Sequence, residues 1–100
     1  MDSCCTLTPE QRRERWYQLQ RPMQSRVVRT EFLPDGYSFV FPAWPAIWME
    51  LAHLVALERQ CCKFLNFRLE TRAEEHTIRL DVTGPTEAKS VMASLFGPHP

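Results

Sequence analysis

The sequence has little that points to a particular partner. Twelve Lys and Arg side chains cancel twelve Asp and Glu, so no global electrostatic attraction suggests nucleic acid as a partner. No apolar run approaches the roughly 18 to 20 residues of a membrane span, and the N-terminus lacks a basic stretch followed by an apolar one. The expectation is a cytoplasmic protein that meets neither membrane nor nucleic acid. Three glycines do not make a phosphate-cradling loop, no CxxC pair occurs, and no serine, histidine and acid fall into a nucleophile arrangement. Nucleotide binding and hydrolysis are therefore disfavoured, and an enzyme is the less favoured class.

What is present is a folding composition. With 44% apolar, 24% charged and 11% aromatic residues in 100, the chain suits one domain with its own core. Residues 1–29 carry six arginines against Asp2, Glu10 and Glu14, and the remainder carries the opposite excess. A first helix docked on a more acidic remainder would account for that asymmetry.

Residues 1–7 read as an arm, and Thr8-Pro9-Glu10-Gln11 as a helix start: a capping threonine, proline at the first helical position and a glutamine closing the box. The helix is expected over 8–20, ended by Arg21-Pro22, with Trp16 and Leu19 on its docked edge. From Arg26 to Phe41 two β-rich runs flank Pro34-Asp35-Gly36, and Tyr37, Phe39 and Phe41 alternate with Ser38 and Val40. A central helix is expected over 44–63. A second hairpin follows over 66–83, with Ile78, Leu80 and Val82 alternating with Arg79 and Asp81, and a last helix over 85–96 carries Ala88, Val91, Met92, Leu95 and Phe96 on one face. The fold class is α+β: an N-terminal helix, then ββαββα, forming a four-stranded antiparallel sheet with two helices packed on one face. The other face, with Ser38, Arg68, Glu70, Arg79 and Asp81, is polar enough to meet water or the first helix.

The central helix poses the chemical question. At 100° per residue, Trp44, Ile47, Trp48, Leu51, Leu54, Val55, Cys61 and Cys62 gather on one arc, with Glu58 near its middle and one turn before both cysteines. A carboxylate facing a core is costly unless paired, protonated or bound to a cation. The bland reading pairs Glu58 with an arginine of the first helix, or within the neighbourhood of Arg59. The sharper one makes Cys61, Cys62 and Glu58 an incomplete ligand set for a thiophilic ion such as zinc, copper(I) or a heavier ion, completed by Cys5 if the N-terminal arm reaches it. Adjacent side chains on a helix diverge, so both sulfurs reach one ion only if the helix unwinds there. The four cysteines come as two adjacent pairs, Cys4-Cys5 and Cys61-Cys62. Without an export signal, reduced thiols are expected, although a bridge from one pair to the other is compatible with the even count. His53 reads as a surface residue.

Glu58-Arg59-Gln60-Cys61-Cys62-Lys63-Phe64 resembles the E-R-x-C-C-x-F segment of a family of small uncharacterised bacterial proteins, and Cys5-Thr6-Leu7-Thr8-Pro9, Pro34-Asp35-Gly36-Tyr37 and Gly84-Pro85 match its other landmarks in order. The resemblance implies the fold and singles out the double-cysteine segment. It implies no reaction.

Three readings follow. The first is a small protein that binds a thiophilic metal or metalloid ion as sensor, carrier or scavenger. The second is a thiol redox protein in which Glu58 takes a cysteine proton and the neighbouring cysteine resolves the oxidised form. The third is a structural or homodimeric module with buried cysteines, pairing through an edge at Val27-Val28 or at Ile78-Leu80.

Overall fold

The structure, a computed structural model, describes residues 8–95, without the side chains of Cys61 and Ser94. The N-terminal arm over 1–7, with Cys4 and Cys5, and the residues after Leu95, with Phe96, lie outside the described residues.

The chain opens with α1 (Pro9–Arg15), capped as expected. The Gln11 amide donates to Thr8 Oγ1 at 3.1 Å and the Thr8 amide to Gln11 Oε1 at 2.9 Å. It does not stop at Arg21-Pro22. A π-helical stretch (Trp16–Gln20) follows, then α2 (Arg21–Gln24). In the wider turn the Arg21 N–H reaches back to the Trp16 carbonyl. Pro22 clashes with a regular preceding turn and has no N–H to give, so a local widening just ahead of it lets the helical course continue. Trp16 and Met23 are buried and Leu19 is packed against the core, which docks this run as the spacing suggested.

The hairpin of β1 (Arg29–Leu33) and β2 (Gly36–Pro42) closes through the two-residue loop Pro34-Asp35. Helix α3 (Pro45–Cys61) crosses to the second hairpin, β3 (Asn66–Arg72) and β4 (Thr77–Thr83), and a 3-10 turn (Thr86–Ala88) leads into α4 (Lys89–Ser94). All three strand pairings are antiparallel, and the order is β1-β2-β4-β3. Strand β4 is therefore bonded on both sides, which rules out Ile78-Leu80 as a free edge. The edges among the described residues are β1 and β3.

The core lies between the sheet and its helical layer. Phe39 and Phe41 from β2, Ile78, Leu80 and Val82 from β4, Ile47, Leu51 and Leu54 from α3, and Ala88, Met92 and Leu95 at the C-terminal end form one buried cluster with Met23. Trp44 and Trp48 do not join it and are exposed. Trp44 is the extended residue ahead of α3, at φ −89° and ψ 138°, so it is not on the helical arc at all. Its ring instead faces the Arg26 guanidinium, 5.2 Å from the ring centroid. The buried seam of α3 is thus narrower than the apolar spacing implied: Ile47, Leu51, Leu54 and Glu58.

The first helical run lies against α3 in the helical layer and leaves the opposite sheet face polar. There Ser38 stands between Glu31 and Asp81, and Val40 between Arg29 and Arg79, in cross-strand register. Both are buried, and Arg79 reaches across to Ser38, its Nη1 donating to the hydroxyl at 3.3 Å.

Candidate thiol site at the end of α3

Glu58 follows Leu54 by one turn on the seam of α3, and helical geometry alone carries its carboxylate inward. Its side chain is 9% exposed, and Arg15, at the end of α1, brings Nη1 to 3.5 Å from Oε1. That distance makes an ion pair without a well-formed hydrogen bond. Burial pushes the Glu58 carboxyl above its ordinary pKa, and the nearby Arg15 charge only partly offsets the push. The first-helix arginine foreseen as its partner is there, and it does not restore ordinary acidity.

Cys62 is where the helix ends. Its N–H still bonds to the Glu58 carbonyl at 2.7 Å, but its own backbone, at φ −115° and ψ 77°, has left the helix. The Leu65 N–H then bonds to the Cys62 carbonyl at 3.1 Å, turning the chain toward β3. This break meets the condition set by the adjacent cysteines, that the helix unwind between them. It also turns Cys62 into the core cluster, where it is 2% exposed.

The expectation of reduced thiols does not hold for Cys62, which is disulfide-bonded. The bonded cysteine lies outside what is described. A cysteine released from helical geometry and buried beside other chain segments can meet a second sulfur that a helical side chain would miss. Of the predicted ligand set, the structure brings Glu58 and Cys62 to one turn of chain. Cys5 and the Cys61 side chain are outside the described residues, and among the described residues no three His, Cys, Asp or Glu side chains form a cluster that could hold a metal ion.

Next to this turn is an open surface cavity of about 520 Å³ lined by Ala56, Arg59, Gln60, Lys63 and Leu65. Arg59, on the last turn of α3, and Lys63, just past its end, give its wall two cations on either side of the cysteine pair. His53 is exposed, as its place on the helix suggested, and lines a separate shallow groove with Arg15 and Leu57.

A second constellation, on the polar sheet face, was only half visible in the residue pattern. Arg79 donates from Nη1 to Glu31 Oε1 at 2.8 Å and from Nη2 to Glu31 Oε2 at 3.2 Å, and it also reaches Ser38 and Glu75. Arg29 and Arg72 extend the chain of charges to Glu31, Glu70 and Glu75. The hydrogen bond from Arg79, seconded by Arg29, holds Glu31 down at about 2, and Glu70 and Glu75 lie below their ordinary values through bonds from Arg72. Alternation along β4 announced Arg79 and Asp81. The role of Glu31 needed the β1–β2–β4 register, which no local pattern states.

Comparison with protein-family models, curated proteins and solved structures finds no match. Among the described residues no helix is long and apolar enough to cross a membrane.

Proposed function

We propose that the end of α3 is a redox-gated thiol site that binds a thiophilic metal or metalloid ion when reduced and is closed by a disulfide when oxidised. The observation that supports this reading is Cys62. It is a buried cysteine at a break in the helix, already joined to another sulfur, one turn from a desolvated carboxyl. Two sulfurs close enough to bond to each other are, after addition of two electrons and two protons, two thiols close enough to hold one soft ion. Zinc and copper(I) suit such a pair, as do heavier thiophilic ions. Cys61 and Cys5 are the proposed second and third sulfur donors. Glu58 serves as a further donor or as the base that accepts a thiol proton when the ion binds. The proposed setting is cytoplasmic, where small-molecule thiols keep the site open and oxidation shuts it. The role is binding, as sensor, carrier or scavenger, without turnover.

A purely structural disulfide is the competing reading, favoured by the 2% exposure of Cys62. One experiment separates the two. Protein reduced without oxygen or chelator is titrated with zinc and with copper(I) and followed by native mass spectrometry, beside an oxidised sample and the Cys61→Ser/Cys62→Ser variant. Stoichiometric ion uptake by the reduced wild type, absent from the other two, is the expected result. A reduced protein that takes up no ion, or uptake that survives both serine replacements, rejects ion binding in favour of the structural disulfide or a different site.

A further inference from the structure

Strand β1 is an edge of the sheet, and it carries two of the most exposed apolar side chains in the described structure, Val28 just before it at 59% and Phe32 within it at 82%. Phe32 ends an aromatic row that begins inside the core. Its ring lies 5.7 Å from Tyr37, and Tyr37 stacks on Phe39 at 6.0 Å. A row of packed rings that runs out of a core and stops at an open edge invites continuation by another chain.

The strand is also self-complementary in one register. Because Leu33 and Gly36 face each other across a two-residue loop, Arg29, Glu31 and Leu33 direct their backbone groups to β2. Thr30 and Phe32 direct theirs outward, whereas the Val28 N–H turns back to the Val40 carbonyl at 2.7 Å. An antiparallel partner of identical sequence must match outward residues with outward residues, so the two-fold axis has to pass through a single residue of β1. An axis at Arg29 sets Arg29 against its own copy, and one at Glu31 does the same with two carboxylates. An axis at Phe32 runs the ladder into Pro34, which has no N–H to give. An axis at Thr30 sets Arg29 opposite Glu31 of the second copy twice and ends the shared ladder at Phe32, because the Val28 N–H is already given to the Val40 carbonyl.

We infer that the protein forms a homodimer by antiparallel pairing of β1 with β1 about a two-fold axis at Thr30, joining two four-stranded sheets into one of eight strands. On the polar face the Arg29–Glu31 pair of each copy, 2.8 Å apart within the chain, closes with its counterpart into a ring of alternating charge. On the helical face the two Phe32 rings lie along the new seam. The pairing stands independently of the thiol site, since β1 and the end of α3 lie in different parts of the fold.

The experiment is sedimentation equilibrium over a concentration series, with circular dichroism melts to verify folding. Wild type is expected to dimerise. Thr30→Pro removes an outward N–H that β2 does not use, and Phe32→Lys charges the aromatic edge; both are expected to be folded monomers. Register is read by mixing. Arg29→Glu and Glu31→Arg, each alone, set like charges opposite twice and are expected to dimerise about tenfold more weakly than wild type. Mixed together, they are expected to form a heterodimer near wild-type strength, because each unlike pair is restored. Wild type that stays monomeric through the series, a dimer that survives Thr30→Pro, or a mixture no tighter than its components overturns the inference.

Discussion

Arg15 and Glu58 face each other at 3.5 Å across the contact between the first helical run and α3, and the carboxyl still titrates above its ordinary range. Desolvation outweighs the attraction because one poorly aligned contact cannot replace the water that Glu58 gave up. The folded state therefore holds a proton on Glu58 at pH values where the unfolded chain, with its carboxyl at 4.5, has released it. This group's contribution to stability falls as pH rises above that value.

Glu58→Gln is expected to gain on wild type as pH increases from 5 to 8, since the amide has no proton to lose. Arg15→Met does the opposite. It leaves a buried carboxylate without its cation and is expected to cost about 3 kcal/mol at pH 8, where Glu58 carries more of its charge, and less at pH 5. Urea unfolding of the three proteins at both pH values checks the sign.

The sheet face predicts the reverse slope at acid pH. Glu31, Glu70 and Glu75 all have lowered folded-state values, with Glu31 at about 2 against 4.5 unfolded. The unfolded chain takes up protons first, so stability is lost as pH falls from about 4.5 toward 2. Glu31→Gln is expected to flatten this limb without altering the decline above pH 5. Unfolding midpoints between pH 2 and 5 test it.

Much of this was legible in the residues. The Thr8–Gln11 box, the alternation of Tyr37, Phe39 and Phe41, and that of Ile78, Leu80 and Val82 are local patterns whose period follows the backbone, and the fold they imply is the fold observed. Trp44 falls off the arc that its spacing implies, because hydrophobicity does not say whether a residue lies inside a helix or just ahead of it. Pro22 signals a helix stop in the sequence, and the π-turn that carries the helix past it has no composition of its own. Glu58 was found because it breaks an otherwise apolar seam, whereas the bond at Cys62 depends on which segments meet in space.

Gly36 shows the same division. It adopts no positive φ, so turn torsion is not what requires glycine there. A Cβ at this position would stand 1.8 Å from the Val82 carbonyl oxygen, a backbone atom that cannot swing away. Gly36→Ala is expected to destabilise by about 3 kcal/mol or more, by prying β2 from β4. Thermal melts check this, and Gly84→Ala offers a milder comparison, since its Cβ would stand 3.1 Å from the end of Leu65 and 3.3 Å from the end of Met92 and from the Phe64 carbonyl oxygen, with no approach under 3 Å.

The Cys62 bond predicts a redox-dependent melt. Adding a dithiol reductant to wild type is expected to lower stability by about 2–4 kcal/mol. Cys62→Ser is expected to start low and to change far less with reductant. A wild-type melt indifferent to reductant would show that the bond carries no stability.

The strand order has a kinetic consequence. Each hairpin joins neighbours in the chain, but the β2–β4 pairing, which matches Phe39 with Leu80 and Pro42 with Thr77, encloses all of α3 and β3. Either half can form its own turn quickly, while the seam between them must wait for a long loop to close. The central ladder is therefore the late step in folding. Relinking the chain so that β2 runs directly into β4 would turn its slowest contact into its fastest.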